Sequence, residues 1–311
     1  MEQNNQAILP AVQKKKRKKN PDQWFAIGFV SPAILVLIGV IALPILRGVW
    51  ISFCDCYLKN LTSPTWNNFS NYAALFKDGL FLQYFGHTLL FVTLTVGVQL
   101  ALGLMFALLL NSKIRGRNIF RGLLIIPWTI PSVVVAIVWR WMLQQQYGVI
   151  NYLLYHAGIT STMNLSWTMD ATLAMAAIVI ACVWKQLPYM TVMLLAGLQS
   201  VDNSLVEAAY IDGTNKFQNL WHIILPAIRP VLITSTWLAV TQNFQQFTII
   251  NNLTAGGPVT ATTTLSIAAY KTAFQSYNFG QSAAIGVIWM LFLLAFTFLS
   301  NKSNEKYAEM Q

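Results

Sequence analysis

The chain has 311 residues, of which 56% are hydrophobic and only 10% charged, with a formal net charge of +10. A soluble domain carries about 25% charged residues, so a chain this apolar would expose large sticky patches in water. Disorder requires the opposite composition, and what remains is an integral membrane protein.

In chain order, the first feature is the basic run KKKRKK at residues 14–19. Alone, such a run suits a nuclear-localisation signal or a nucleic-acid patch. Here an apolar segment opens at Trp24, so the run reads as a cytoplasmic topology anchor and no nucleic-acid partner is expected. The segment is too long for the apolar core of a signal peptide and has no small-residue cleavage site.

A helix needs about 20 apolar residues to cross a bilayer. Six segments qualify, at residues 24–46, 86–110, 122–143, 171–199, 230–250 and 281–300. Pro188 in the fourth removes a backbone hydrogen bond and is expected to kink it. The domain plan is then a basic tail at 1–23, a six-span region at 24–300 with a long loop at 200–229, and a short tail at 301–311. Fourteen Lys and Arg outside the spans fall on the side of the N-terminus, against five (Arg47, Lys59, Lys77, Arg140 and Lys271) on the other. That excess places both termini in the cytoplasm. Cys54 and Cys56 would then lie outside, within reach of an impermeant thiol reagent. With Cys182 they form neither a disulfide framework nor a metal site.

The chain has no phosphate-cradling G-x-x-x-x-G-K-[ST], no H-E-x-x-H, no G-x-S-x-G and no dinucleotide fingerprint. No catalytic, cofactor or metal site is therefore expected within it. None of the six spans contains Asp or Glu, which disfavours an ion-coupled secondary carrier. Backbone carbonyls can bind sodium, so that alternative stays open.

Two places in the spans are polar. Lys185 in the fourth reads either as a pocket residue or as a buried cation satisfied by carbonyls. In the fifth, Trp237, Asn243, Phe244, Gln245 and Gln246 offer amides for hydrogen bonding and aromatic faces for stacking, both kinds of group that could line a path for a polar solute. At 100° per residue, Asn243 and Gln246 share one helix face. The other reading is that these amides only bond neighbouring helices.

The loop between the fourth and fifth segments reads EAAYIDG at 207–213, then nine residues, then IILP at 223–226. Ser204 and Glu207 have capping-box spacing, which predicts a short helix starting there. Gly213 would end it in a left-handed conformation, and Ala208 and Ala209 are small enough for a neighbouring surface to approach.

This E-A-A-x3-G-x9-I-x-L-P pattern resembles the signature of permease subunits of ATP-binding-cassette importers. The likeness extends over nearly the whole chain and is closest to the carbohydrate-uptake branch. It is carried by residues 66–72 and 75–78, by Pro127, Pro131, Trp139, Gly148 and Asn151, by residues 184–188, and by residues 253–258 with Thr264, Leu265, Tyr270, Phe274 and Gly280. Four places depart from the pattern: Asp202 stands for a usual proline, Thr214 for alanine, His87 for asparagine, and Gln245-Gln246 for a stretch where Asp is common.

The resemblance implies an all-α membrane protein of the type I importer permease fold, with six transmembrane helices and both termini cytoplasmic, in a bacterial inner (plasma) membrane. It implies a second permease subunit as heterodimer partner, two ATPase subunits and an extracytoplasmic solute-binding protein. ATP and Mg would be bound by the ATPase and not by this chain, which is no enzyme. Glu207, Ala208, Ala209, Asp212 and Gly213 would couple ATP use to transport. The implied function is ATP-driven uptake of a sugar or oligosaccharide by alternating access, with a non-sugar solute such as a glycerol phosphate as the alternative.

Overall fold

The computed structural model describes residues 21–77, 79–112 and 115–308, and the chain divides into two units between Gly48 and Val49. The basic run at 14–19 lies outside the described residues. The first unit is helical: α1 (Pro21–Leu37) passes through a π-helical turn (Ile38–Ala42) into α2 (Leu43–Ser52), whose last residues belong to the second unit. Its apolar stretch, Ile27–Ser52, is 26 residues long, enough to cross a bilayer.

After the end of α2, the second unit continues with a small antiparallel ribbon, β1 (Cys54–Asp55) against β2 (Thr65–Trp66), followed by α3 (Ser70–Lys77) and the long α4 (Leu80–Asn111). Next come α5 (Arg117–Thr129), α6 (Ser132–Met142), α7 (Val149–His156) and the long α8 (Ala171–Gln199). The loop helices are α9 (Asn203–Ile211), α10 (Lys216–Asn219), a π-helical turn (Leu220–Ile224) and α11 (Leu225–Ala227). The chain closes with α12 (Arg229–Phe244), α13 (Thr248–Leu253), α14 (Leu265–Phe274) and α15 (Phe279–Ala308).

Among the described residues, four helices are long and apolar enough to cross a membrane: Ile27–Ser52, Leu80–Asn111, Ala171–Gln199 and Phe279–Ser300. Two further pairs of helices pass the same test only together and are bent, α5 with α6 at 97° and Lys216–Ala227 with α12 at 72°; the second takes in part of the loop expected at 200–229, and the span expected at 230–250 is not one helix, since α12 ends at Phe244. The first break follows from Ile130-Pro131. A residue before proline is pushed out of the helical region, and Ile130 is extended at ψ 134°. The second follows from Pro226 and Pro230, which deny helix donors on either side of Ile228. Pro188 behaves otherwise, since α8 runs through it as one continuous helix.

The core sits where α4 packs along α8, with α6, α12 and α13 closing around them. Gly103 explains the close approach of α4: a Cβ there would stand 2.6 Å from the Met190 side chain. Gly197 does the same for α12, where a Cβ would meet Val231 at 3.1 Å. Small residues at such crossings let helix backbones approach in a membrane, where apolar area alone drives little association.

One end of this unit is tied by polar contacts. Asn71 Nδ2 donates to the Ser52 and Cys54 carbonyls at 2.8 and 2.9 Å, and the Phe279 and Gly280 amides donate to the Cys56 carbonyl at 2.8 and 3.1 Å. Cys54 and Cys56 are both fully buried in this tie. Burial pushes the Cys54 thiol above its ordinary range, so neither serves as the surface label that the sequence suggested.

Candidate coupling loop and substrate path

The loop after α8 is built by its caps. Asp202 begins α9, accepting a hydrogen bond from the Ser204 amide at 2.9 Å. That bond holds its carboxyl below the ordinary range. The predicted capping box at Ser204 and Glu207 is therefore not the start of the helix, because Asp202, two residues earlier, is itself a strong N-cap. At the other end Gly213 adopts φ +85°. The Gly213 amide donates to the Tyr210 carbonyl and the Thr214 amide to the Ala209 carbonyl, both at 3.1 Å. These are the paired bonds of a Schellman motif, and the Thr214 hydroxyl adds a third, to the Ala209 carbonyl at 2.8 Å. A capping box does occur, one helix later: Asn215 and Gln218 exchange bonds of 2.8 and 2.9 Å.

The five expected coupling residues divide by direction. Ala209 is buried, so its small size serves the internal packing of the loop. Glu207, Ala208, Asp212 and Gly213 are exposed. Around them stand apolar side chains that periodicity did not single out: Ile211 is 87% exposed and Phe217 68%, with the Phe217 ring 5.9 Å from Trp221. Asn219 is buried, and neither of its amide atoms has a partner.

The polar residues within the spans also divide. Gln186 Oε1 accepts from Gln99 Nε2 at 3.1 Å and from Asn243 Nδ2 at 2.9 Å, which ties α4, α8 and α12 together. Asn243 Nδ2 also donates to the Ala239 carbonyl at 2.8 Å, while its Oδ1 is buried without a partner. Gln99 was not singled out from sequence. An amide inside an otherwise apolar span was the available signal.

Lys185 donates from Nζ to the carbonyls of Ile130 at 2.5 Å and Trp128 at 3.4 Å. These carbonyls belong to the break between α5 and α6, where the helix end leaves acceptors unmet. A cation there meets both the free oxygens and the negative end of the helix dipole.

In α12, Phe244 is buried with its ring 5.1 Å from Phe292, and Trp237 is half-buried with Nε1 unpartnered. Helix geometry stops at Phe244, so Gln245 and Gln246 lie beyond it and the expected shared face of Asn243 and Gln246 does not form. The turn serves packing: it lets Ile249, Ile250 and Leu253 of α13 reach the core. Gln246 is fixed by its backbone, whose carbonyl accepts from the Ser266 hydroxyl at 2.9 Å. Gln245 is exposed and lines a cavity of about 670 Å³ with Thr241, Trp289, Met290 and Thr297.

The loop after α13 is held by threonines. Thr254 and Thr262 hydroxyls meet at 2.7 Å, Thr262 donates to the Gly257 carbonyl at 2.7 Å, and Thr263 donates to the Gly256 carbonyl at 2.9 Å. At its tip Val259 is 94% exposed.

Comparison with known proteins places this geometry. Residues 99–306 match the family described as binding-protein-dependent transport system inner membrane component. The chain is 35% identical over 271 residues to the trehalose/maltose transport system permease protein MalF of Thermococcus litoralis, covering 86% of this chain and 89% of that one. It is 32% identical to the sulfoquinovosyl glycerol transport system permease protein SmoG of Agrobacterium fabrum, covering 86% of each. It is also 32% identical to the sn-glycerol-3-phosphate transport system permease protein UgpA of Yersinia pestis, covering 93% of this chain and 96% of that one. Among solved structures, a bacterial ABC transporter involved in alginate import superposes with a TM-score of 0.78 at 20% identity, over 92% of this chain and 96% of its own. The fold is that of an ABC transporter permease, and the chain belongs to the binding-protein-dependent transport system inner membrane component family.

Proposed function

We propose that this chain is one transmembrane half of an ATP-driven, binding-protein-dependent importer of a sugar or oligosaccharide. The observation that carries the proposal is the loop at 202–213. It is stiffened by caps at its two ends, from Asp202, Gly213 and Thr214, which leaves Glu207, Ala208, Asp212 and Gly213 facing outward. A loop built this way transmits force as a rigid body and needs no catalytic group. In the proposed assembly it docks on an ATPase subunit, which binds ATP and Mg, and Ile211 and Phe217 supply apolar contact. A second permease completes the channel, with six spans per permease and both termini on the ATPase side. An extracytoplasmic binding protein docks at the opposite end, around the threonine-held loop and Val259.

The substrate path is proposed along the end of α12, at Trp237, Gln245 and Gln246, with Lys185, Asn243 and Phe244 shaping its wall. The relatives act on sugars, a sugar glycerol and a glycerol phosphate. A neutral saccharide is favoured because Lys185, the cation within α8, is turned to carbonyls at the helix break. Alternating access then moves the permease halves against each other as the ATPases close. The test is to reconstitute the chain with its partners and screen saccharides and glycerol phosphates for binding-protein-dependent stimulation of ATPase activity. Stimulation by saccharides supports the reading. Stimulation by glycerol phosphates alone overturns the sugar assignment, and ATP-independent uptake overturns the importer.

A further inference from the structure

The stretch from the end of α6 to the start of α8 is uncharged and exposed at the same time. Residues 141–169 contain no Asp, Glu, Lys or Arg, where a soluble chain of that length carries about seven. Trp141 and Met169, at its two ends, are 74% and 76% exposed, and Tyr147, Tyr152, Leu153 and Ile159 between them are exposed as well.

Within this stretch α7 is pinned on one side only. Asn151 is buried; its Nδ2 donates to the Leu165 and Gln145 carbonyls at 3.0 and 3.2 Å, and its Oδ1 accepts from Trp167 Nε1 at 2.7 Å. At 100° per residue, Ile150 and Leu154 fall on that same side and pack on the core. Val149, Tyr152, Leu153 and His156 fall on the opposite side, and all four are exposed. The His156 ring lies 4.0 Å from the Tyr152 ring, and its Nδ1 donates to the Tyr152 carbonyl at 2.9 Å, so the imidazole on this face is held by its own neighbour.

The level of α7 follows from its ties. Leu165 and Trp167 lead directly into α8 at Ala171, and α8, at 29 residues, is longer than a bilayer core requires. The bonds from Asn151 therefore hold α7 where a membrane-crossing helix leaves the hydrocarbon. From the other direction, Val134, Val138 and Trp141 form one exposed stripe on α6, at helical spacing, that leads into the same stretch.

We propose that α7 lies in the plane of the membrane, in the boundary between headgroups and acyl chains, with Val149, Tyr152, Leu153 and His156 turned to lipid. A lipid surface fits better than a protein partner for two reasons. The exposed face continues the apolar stripe of α6 and is flanked by Trp141 and Tyr147, residue types that gather at membrane interfaces. It also offers a protein partner no charge to pair with. The charged face usual in an interfacial helix is missing because the other side of α7 meets protein and not water. The inference needs only that the chain crosses a membrane, and it stands apart from the solute and the ATPase.

The test places single cysteines in the full chain, Val149→Cys and Leu153→Cys on the proposed lipid face and Val259→Cys as the water-facing reference, each carrying a nitroxide. The chain without an added cysteine is the blank, since Cys54, Cys56 and Cys182 are buried. In phosphatidylcholine vesicles, collision of the nitroxide with oxygen, which concentrates in lipid, is compared with collision with a nickel chelate, which stays in water. The chain is measured alone and again in the complete transporter. Both sites on α7 are expected to report a depth of about 5–10 Å below the headgroups in either state, and Val259→Cys a position in water. Two sites on one face keep the result readable if one substitution disturbs folding. Nickel collision at both sites equal to that at Val259→Cys overturns the proposal. So does loss of collision with both reagents in the complete transporter, which marks a protein covering the face in place of lipid.

Discussion

Gly213 and Gly256 have nearly the same backbone, at φ +85° and +83°, in loops that lie at different ends of the fold. Their surroundings differ. A Cβ on Gly213 would meet nothing within 4 Å, whereas a Cβ on Gly256 would stand 2.7 Å from Thr263 Oγ1, 2.9 Å from Ile267 and 3.0 Å from Lys271 Nζ. One loop holds its shape through caps at the ends of its helix and keeps the side chains between them free; the other holds its shape by burying hydroxyls around a glycine. Stiffness made at the ends of a helix leaves the surface between them available for a partner, while stiffness made by buried hydroxyls consumes the side chains in the loop's own interior.

The comparison can be broken most severely at Gly256. Gly256→Ala combines left-handed strain with three overlaps created by the new Cβ, against Thr263 Oγ1, Ile267 and Lys271 Nζ. It is expected to destabilise the chain by about 2–4 kcal/mol and to lower its abundance in membranes, as measured by immunoblot and thermal melting in detergent. Gly213→Ala meets only the conformational penalty, about 1 kcal/mol, and should leave abundance unchanged. Gly213→Val, β-branched and more strained, is expected to abolish uptake while the protein stays in the membrane. Equal loss of abundance for Gly256→Ala and Gly213→Ala would refute the distinction.

The buried amides allow a sharper contrast of sign. Replacing Gln186 with Leu removes the acceptor shared by Gln99 and Asn243 and leaves one N–H of each unmet, at an expected cost of about 1–3 kcal/mol. Asn219 already lacks partners, so Asn219→Leu is expected to be neutral or to stabilise by about 1 kcal/mol. Opposite shifts in melting temperature check both.

The smallest effect concerns pH. The Asp202 carboxyl is held low by its bond from Ser204, so its stabilising contribution is present above the unfolded value, about 3.9. It is lost only as pH falls through the lower folded value. Helix capping by Asp202 should therefore not vary between pH 6 and 8, and Asp202→Asn, which preserves an N-cap, should transport near the wild-type rate across that range.

Much of the architecture was legible in the sequence, because apolar length is a direct readout of what a bilayer demands. Four of the six segments fall on single long helices, while 122–143 is broken at Ile130-Pro131 and 230–250 after Phe244; Gly213 stops α9 as the loop pattern predicts. The breaks were harder. Pro131 was visible, but an apolar run hides the change of direction that proline imposes, and only the structure shows Lys185 reaching the carbonyls released there. Asp202 looked like a departure from a pattern when it is the cap that starts α9. The end of α12 at Phe244 was invisible because Gln245 and Gln246 continue a helical spacing, while the core recruits α13 by turning the backbone. Gln99 needed its partner Gln186, 87 positions away, before its role could be read.

The central claim is that the outward face of α9 docks an ATPase while its inward face only packs. Ala208 is exposed and Ala209 is 6% exposed, so tryptophan at each separates the two roles. The deciding measurement is binding-protein-stimulated ATPase activity, and co-purification of the ATPase, in complexes carrying Ala208→Trp, with Ala209→Trp as the packing control. The account expects Ala208→Trp to leave the permease at normal abundance but to lose the ATPase and at least tenfold in stimulated activity, equivalent to about 1.4 kcal/mol. Normal co-purification with undiminished activity in Ala208→Trp would contradict it.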